Sequence, residues 1–469
     1  MDFKLSFQGA AGTVTGSRHL LTIDSHQLLV DSGMFQGGKE LRELNWRKPD
    51  FNPQSVANIV LTHAHLDHCG SLPRLVRDGF RGTIHCTPPT RELAQLILLD
   101  SAKLQEEDAH YANKKGYSKH APAEPLYTSD DVDRTMRLFR THDYHEPFDL
   151  DGGVTVEFFE AGHILGAAFA SVRTQAGGRD TTIVFSGDIG RYNVPLHNDP
   201  EPLPSCDALV IESTYGNRVH DATPLIDQIR KPFCDALNRG GIILIPAFAV
   251  ARAQLIMLML RELMESGEIS EIPIHIDSPM AVRVTEIYHK YAGTRDLDAS
   301  LTQAEWQHLF PKDVQFHSSV EESKQLNRLT GPRVIIAASG MLTGGRVLHH
   351  LERLAPDPKN LIVLAGFQAA GTRGRLLIDG ATSLRMHGAE IPVRAQVISL
   401  LGLSAHADSN ELMRWVGSAA PSPKMGFVVH GEPEGSAALS KRLTEELHLR
   451  AYVPKLGEVF DLNALLPTG

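Results

Sequence analysis

The stretch LTHAHLDHCG, residues 61–70, follows an apolar run and carries three histidines and an aspartate within six positions. These side chains are His63, His65, Asp67 and His68. Imidazole and carboxylate groups bind divalent metals, and so dense a set of ionisable groups after a buried strand is costly unless something charged binds it. One metal ion uses two or three such ligands comfortably. The spacing therefore predicts a centre with two metals.

The first metal would take its ligands from the start of this stretch. His63 and His65 are two positions apart, so on an extended segment they point the same way and could share one metal. Another histidine is needed, and EAGHILGA offers His163 at the end of a second apolar run. Open α/β sheets place their chemistry at such strand ends.

The second metal would take its ligands from the turn that follows. Asp67 and His68 lie on the turn into the next helix, and VVHGE offers His430 to complete their shell. A carboxylate between the two metals could come from Asp188 in FSGDIG. Nitrogen and oxygen ligands of this kind suit zinc, with manganese as the alternative where carboxylates and open positions dominate.

The composition is that of an ordinary soluble globular protein. The 469 residues allow two or three domains, and the hydrophobic content is 42%. The sequence shows neither a signal peptide nor an apolar stretch long enough for a membrane helix, and four scattered cysteines fit a reducing cytosol. We therefore expect a cytoplasmic protein. With a net charge of −10, any nucleic-acid site must be a local basic groove.

Apolar strand-like runs alternate with helical stretches along the chain. The segment TRELAQLILLDSAKLQEEDAHYA (90–112) has helical periodicity, whereas VTVEFFE (154–160) is typical of a strand. From about residue 220 a second pattern begins, in which apolar runs such as GGIILIPAF (240–248) precede helices. The pattern predicts an α/β fold.

Seven short motifs, in this order, resemble those of the β-CASP nucleases of the metallo-β-lactamase superfamily, a group that includes the mRNA 3′-end processing endonuclease and bacterial ribonuclease J. The motifs are VDSG with Asp31, THAHLDH, GHILGA, SGDIG, IEST with Glu212, LSAHAD with His406, and VVHGE with His430. Their compact span is similar to that of the stand-alone bacterial members.

The resemblance implies an αββα metallo-β-lactamase sandwich with an inserted α/β domain, the β-CASP domain. Residues 1–214 would form the N-terminal part of the sandwich, and 215–381 the insertion. Residues 382–469 would form the C-terminal part of the sandwich.

The resemblance also implies roles for the motif residues. Two zinc ions, with manganese as the alternative, would be held by His63, His65 and His163, by Asp67, His68 and His430, and by Asp188 as the bridge. Asp31 would orient a ligand histidine. His406 would protonate the leaving 3′-oxygen, and Glu212 would hold His406 in place and keep it basic.

The inserted domain is expected to grip the substrate. SGMLTGGR (339–346) is a glycine-rich turn between a strand and a helix, and its amides could cradle a phosphate. The predicted contacts with the RNA backbone are Ser339, Gly340, Thr343, Arg346, Arg252 and Arg373. His387 is interpreted as structural or groove-lining, because the ligand count is full without it.

The function expected from the resemblance is cleavage of single-stranded RNA in processing or decay, giving 5′-phosphate and 3′-hydroxyl ends. Endonucleolytic cleavage is expected, while 5′-exonuclease activity and a homodimer stay open. One alternative is a β-CASP DNA nuclease, but those relatives lack the motif histidine that His430 provides. A second is a small-molecule metallo-hydrolase, which would not need the insertion. A non-catalytic scaffold is a third, and the complete ligand set speaks against it.

Overall fold

The structure, a computed structural model, describes residues 2–116, 118, 120–176, 179–221, 223–298, 311–366, 368–369 and 371–466. The chain divides into two compact units. The first unit comprises Met1–Val219 and His406–Gly469, and the second comprises His220–Ala405.

The first unit contains two seven-stranded sheets. One has the strand order β22-β1-β2-β3-β4-β5-β6, with the bounds β1 Phe3–Phe7, β2 His19–Ile23, β3 His26–Val30, β4 Val56–Val60, β5 Thr83–Cys86, β6 Phe139–Thr141 and β22 Val459–Asp461. The other has the order β21-β20-β11-β10-β9-β8-β7, with the bounds β7 Phe148–Leu150, β8 Val154–Glu160, β9 Ala168–Ala176, β10 Arg179–Phe185, β11 Ala208–Ile211, β20 Met425–Val428 and β21 Arg450–Tyr452.

The two sheets face each other across one apolar core. Phe7 and Val60 of the first sheet lie in the same buried cluster as Phe158, Phe185 and Phe427 of the second. Alternate residues of each strand point into this core, as the two-residue period of a strand requires. Each large apolar side chain buried here contributes roughly 1.5–3 kcal/mol to folding. The shared core thus holds the two sheets together.

Helices of the first unit are α1 Lys39–Leu44, α2 Leu66–Cys69, α3 Leu72–Arg77, α4 Pro88–Lys115, α5 Ser129–Met136, α12 Ser409–Val416, α13 Pro433–Leu447 and α14 Leu462–Leu465. Helix α4 confirms the helical periodicity predicted there. Its N-cap Thr87 accepts a hydrogen bond from the amide of Thr90, and Gly116 ends the helix with φ +66°. A hydroxyl N-cap, proline in the first turn and a left-handed glycine are the expected helix boundaries.

The second unit is built on a six-stranded sheet in which every described pairing is parallel. Its order is β14-β13-β15-β12-β16-β19, with the bounds β12 Ile242–Pro246, β13 Ile274–Asp277, β14 Val314–Phe316, β15 Arg333–Ala337, β16 Leu361–Ala365 and β19 Gln396–Leu400. A two-stranded hairpin is formed by β17 Ser383–Met386 and β18 Ala389–Pro392. The helices are α6 Leu225–Asn238, α7 Arg252–Glu265, α8 Pro279–Lys290, α9 Val320–Leu326, α10 Arg346–Leu354 and α11 Arg373–Ile378.

The predicted α/β class, a sandwich with an inserted α/β domain, is confirmed by this architecture. The predicted insertion, residues 215–381, and the second unit, His220–Ala405, differ by five residues at the first border and by 24 at the second. Residues 382–405 lie in the second unit, because β19 pairs in parallel with β16 and Leu384 joins the apolar core of that unit. Among the described residues, no helix is long and apolar enough to cross a membrane.

Candidate metal centre and active site

The polar side chains predicted to form the site of the first unit lie directly beyond the carboxyl ends of strands. β8 and β10 are both antiparallel to β9, and β10, β11 and β20 are mutually parallel, so these four strands end on one side of their sheet. β3 and β4 are parallel in the facing sheet. The residues delivered there are Asp31, His63, His65, Asp67, His68, His163, Asp188, Glu212 and His430.

The first ligand cluster contains His63, His65, His163 and Asp188, with one donor atom of each within 4.8 Å of the others. The Nδ1 of His65 is 3.0 Å from the Nε2 of His63 and 3.1 Å from the Nε2 of His163. The Oδ2 of Asp188 is 3.4 Å from the Nε2 of His63 and 3.6 Å from that of His163. The structure brings the predicted ligands of metal one together around a single point.

The second cluster contains Asp67, His68 and His430. The Nε2 of His430 is 3.1 Å from the Nε2 of His68 and 3.5 Å from the Oδ2 of Asp67. The Oδ1 of Asp188 lies 3.3 Å from the Nε2 of His68, while the Oδ2 of Asp188 faces the first cluster. Asp188 therefore stands between the two clusters, as a bridging ligand must.

These two clusters fit metal ions on chemical grounds. Two nitrogens bound to one tetrahedral zinc at about 2.0–2.1 Å lie about 3.3 Å apart, which matches the observed separations. The Oδ1 of Asp188 is buried and makes no hydrogen bond within the described part of the chain. Burying a carboxylate oxygen in that state is costly unless a cation compensates it. The donor set thus fits two metal ions.

The protonation states of the first cluster also suit metal binding. Burial is the largest cause that holds the pKa of His65 and of His163 well below the ordinary value. Burial alone would raise the pKa of Asp188, but the surrounding imidazoles, His430 first, hold that pKa well below its usual range. Neutral imidazole and ionised carboxylate are the forms that ligate a metal.

Asp31 contacts His68, one of the predicted ligands of metal two. Its Oδ2 is 2.7 Å from the Nδ1 of His68, which turns the Nε2 of His68 towards the second cluster. Its Oδ1 accepts a hydrogen bond from the backbone amide of Thr62, 2.8 Å away. Asp31 adopts φ +60°, a conformation that aspartate tolerates better than most side chains. The contact fixes the tautomer and the ring orientation of His68.

His406 reaches the site through backbone pairing. A single bridge joins it to Gly190, and the amide of Ala407 donates to the carbonyl of Ile189 at 2.8 Å. The Nδ1 of His406 is 3.1 Å from both carboxylate oxygens of Glu212 and 3.8 Å from the Oδ2 of Asp188. Thus the predicted acid and its partner lie beside the predicted metal ligands.

The charges around His406 favour its protonated form. Burial lowers the pKa of His406, but the carboxylates of Glu212 and Asp188 outweigh burial and raise that pKa above its ordinary value. The Glu212 carboxylate is itself fixed, because it accepts hydrogen bonds from the amides of Ile189, at 2.8 Å, and Thr214, at 3.3 Å. A carboxylate–imidazole pair held in this way can deliver a proton.

In the second unit, the glycine-rich turn at 339–345 is held by side chains of its own unit. The Oγ of Ser339 accepts from the amide of Thr343 at 3.2 Å and lies 3.0 Å from its Oγ1. The carbonyl of Gly340 accepts from Gln368 at 3.0 Å. A Cβ at Gly340 would lie 2.7 Å from the ring of Phe248, so the position requires glycine. Ser339, Gly340 and Thr343 thus share one compact turn.

Arg346 follows this turn and donates three hydrogen bonds. Its Nη1 donates to the Oδ1 of Asp277 at 2.7 Å and to the carbonyl of His317 at 3.0 Å, and its Nη2 donates to the carbonyl of Ser318 at 2.8 Å. Asp277 is fully buried. Arg346 therefore neutralises a buried carboxylate and ties two loops together.

The other two arginines also bind carbonyls of their own unit. Arg252 donates from Nη1 to Ala365 at 2.8 Å, and its guanidinium lies 4.7 Å from the centre of the Phe248 ring. Arg373 donates from Nη1 to Leu342 in the glycine-rich turn at 3.2 Å. Their predicted contacts with RNA stay predictions, and each arginine also binds a backbone carbonyl of the second unit.

Three family models match consecutive parts of the chain. The model described as the metallo-beta-lactamase superfamily matches residues 16–219, and the Beta-Casp domain matches residues 253–377. The Zn-dependent metallo-hydrolase RNA specificity domain matches residues 390–454. The first and the last of these descriptions concern metallo-hydrolases, and the last also names RNA specificity.

Curated relatives match over nearly the whole chain. Ribonuclease TTHA0252 of Thermus thermophilus is 38% identical over 93% of this chain and 94% of its own length. The chain belongs to the β-CASP ribonucleases of the metallo-β-lactamase superfamily. Two further relatives come from Methanocaldococcus jannaschii. The RNase J-like protein is 29% identical over 98% of this chain and 99% of its own length, and transcription termination factor FttA is 30% identical over 96% and 70%.

As a β-CASP ribonuclease, the chain is a metal-dependent enzyme. A solved structure of a protein of unknown function from Enterococcus faecalis V583 shares the fold, with a TM-score of 0.54 at 14% identity, covering 98% of this chain and all of that one. The predicted family and enzyme class are therefore confirmed, whereas the role of each site residue stays a prediction.

The structure adds two threonines that the sequence motifs alone do not single out. Thr62 contacts Asp31 and also lies with its Oγ1 3.1 Å from the Nδ1 of His63. The Oγ1 of Thr214 is 3.1 Å from the Nδ1 of His430. Each hydroxyl thus contacts the ring of a histidine that is predicted to be a ligand. Their only signal in sequence is proximity to the motifs, in LTHAH and IEST.

Proposed function

We propose that this ribonuclease uses two zinc ions to hydrolyse phosphodiester bonds within single-stranded RNA, leaving 5′-phosphate and 3′-hydroxyl ends. One observation carries the proposal: Asp188 stands between two histidine-rich clusters, and His406 lies 3.8 Å from the same carboxylate. Ligands, bridge and proton donor therefore occupy one buried site.

The ligands proposed for metal one are His63, His65 and His163, and those proposed for metal two are Asp67, His68 and His430, with Asp188 shared. When bound, two zinc ions supply an activated water and neutralise charge on the phosphate oxygens. The chain itself holds the donor atoms ready, because Asp31 and Thr214 fix the rings of His68 and His430. Such outer contacts keep a site close to its working geometry.

The chain also provides the proton for the leaving group. The Nδ1 of His406 donates to Glu212, so Nε2 is the nitrogen that passes a proton to the leaving 3′-oxygen. Protonation of that oxygen as the bond to phosphorus breaks leaves a 3′-hydroxyl, and the phosphate stays on the 5′ side of the downstream fragment. The raised pKa of His406 supports the acid role over a role as base.

The substrate grip is proposed to lie in the second unit, at Ser339, Gly340 and Thr343 with Arg252, Arg346 and Arg373. The two hydroxyls of the turn lie 3.0 Å apart and can reorient towards a phosphate. The names of two relatives, a ribonuclease and an RNase J-like protein, support RNA as the substrate. So does His430, since the DNA-cleaving relatives lack a histidine in that motif.

Matched oligonucleotides test this function. Single-stranded RNA, single-stranded DNA and duplex RNA of one sequence, labelled at the 5′ end, are incubated with zinc-loaded protein. We expect single-stranded RNA to be cut at least ~10-fold faster than either control, which corresponds to about 1.4 kcal/mol in the barrier. Labelled products of intermediate length would support endonucleolytic cleavage. Equal rates on DNA, or preference for DNA, would reject the assignment.

A further inference from the structure

A second group of metal-binding side chains lies on the surface of the second unit, apart from the residues proposed for catalysis. His349, Glu352 and His387 each offer one donor atom, and these atoms lie within 4.8 Å of one another. The Nδ1 of His387 is 2.9 Å from the Oε2 of Glu352, and the rings of His349 and His387 stack with their centres 4.6 Å apart.

Helix α10 supplies two of the three donors on one face. His349 and Glu352 are three positions apart, which places them on the same side of a helix. The neighbouring His350 points the other way, because it is fully buried with its Nε2 2.7 Å from the Oδ2 of Asp277. His349 is the exposed one of these two adjacent histidines, and it takes no part in the buried contact between His350 and Asp277.

The hairpin β17–β18 supplies the third donor from its turn. Met386 pairs with Ala389, so His387 and Gly388 form a two-residue loop in which both φ values are positive, +48° and +86°. Asparagine, aspartate and glycine are the usual residues of such a turn. A histidine here accepts an unfavourable backbone conformation, and such positions often mark functional contacts.

We propose that His349, Glu352 and His387 form a second metal site. The site binds zinc or a similar divalent metal ion, and water occupies the remaining coordination positions of that ion. Two imidazoles and one carboxylate suit zinc, nickel or copper, whereas magnesium and calcium prefer oxygen ligands alone. All three side chains are partly or fully exposed, so an ion can enter without rearrangement of the core. A bound ion would join α10 to the hairpin and stabilise this part of the second unit.

Zinc titration of the full-length protein tests the proposal. Two equivalents of zinc per chain are added to the metal-free protein first, which fills the catalytic centre alone, and further zinc is then added in a calorimeter. We expect one additional binding event per chain. His349→Ala and His387→Ala should each weaken it by at least about tenfold, because even a residue behind a metal ligand is worth about 10–100-fold in affinity.

His110→Ala serves as the matched control, since His110 is an exposed histidine on α4 in the first unit. It should leave the additional event unchanged. RNA cleavage by His349→Ala should equal that of the parent, which separates this proposal from the catalytic one. Absence of the additional event in the parent would overturn the proposal. So would its persistence in the double variant His349→Ala, His387→Ala.

Discussion

The ligand clusters of the first unit and the arginines of the second unit were both predicted as functional groups, but their surroundings differ. Around Asp188, donor atoms converge at 3.0–3.6 Å, and one buried carboxylate oxygen has no hydrogen bond within the described residues. Around Arg346, three hydrogen bonds bind the guanidinium to groups of its own unit. The first arrangement calls for a cation, whereas the second is already internally compensated.

The difference shows that a dense cluster of ionisable residues predicts a ligand site better than a single arginine does. Four ionisable groups within six positions are costly unless something charged binds them, and the structure places them around two points. The predicted RNA contact of Arg346 rested on a single arginine after a glycine-rich turn, and in the structure this arginine binds Asp277 and two backbone carbonyls of its own unit. The following substitutions sharpen the comparison, from the largest expected effect to the smallest.

Removal of the bridging carboxylate should have the largest effect. Asp188→Ala is expected to lose metal from both clusters and to reduce RNA cleavage by at least ~10³-fold, or about 4 kcal/mol in the barrier. Metal content and single-turnover cleavage measure the two effects. Asp180→Ala, an exposed position on the same strand β10, is the control and should behave like the parent. A fully metallated and active Asp188→Ala would contradict the bridge.

His406→Ala should separate chemistry from metal binding. The variant is expected to keep both metals and to lose ~10²–10⁴-fold in cleavage rate, the usual contribution of a general acid. Glu212→Gln, which retains a hydrogen-bond acceptor for the Nδ1 of His406, should lose less. Loss of metal together with activity in His406→Ala would show that His406 is a ligand and not the acid.

Thr214→Val tests the contact behind His430. The substitution removes the hydroxyl that lies 3.1 Å from the Nδ1 of His430. The affinity for metal two is expected to fall by about 10–100-fold, the range for residues that orient ligands. Metal one should stay filled, because Thr214 makes no described contact with His63, His65 or His163. Competition with a chelator measures both affinities. Equal loss from both clusters would mean that Thr214 supports the fold of the site as a whole.

Arg346→Ala tests the second unit. Loss of its bonds to Asp277 and two carbonyls should lower stability by about 1–3 kcal/mol, the cost of leaving a buried partner unsatisfied. If Arg346 also contacts RNA, as predicted, the salt slope of binding should fall by about 0.7 for the single phosphate lost. Thermal melts and binding at several salt concentrations distinguish these effects. Arg283→Ala, an exposed position on α8, is the control.

In that experiment a lower melting temperature with an unchanged salt slope would show that Arg346 is structural only. A reduced slope at normal stability would show the reverse, that the observed hydrogen bonds contribute little. Either result would decide which of the two descriptions of this arginine holds.

The sequence predicted the fold and the grouping of the ligands because both depend on local patterns. Apolar runs followed by polar residues place side chains such as His163 and His430 at strand ends, where parallel strands bring them together. The contact of Thr214 with His430 could not be predicted, since threonines are common and the two residues lie 216 positions apart. The contact of Thr62 with Asp31, across 31 positions, could not be predicted for the same reason. The limit of the second unit was equally hidden, because it depends on the pairing of β19 with β16.

Metal analysis of the purified protein tests the central claim most directly. The measurement uses the His349→Ala variant, so that the proposed surface site does not contribute, after saturation with zinc and removal of unbound metal. The two clusters that share Asp188 predict two equivalents of zinc per chain, reduced to one in the additional variant His430→Ala. If the His349→Ala protein with His430 intact holds one equivalent of metal or none, even after manganese is added, the dinuclear site is contradicted.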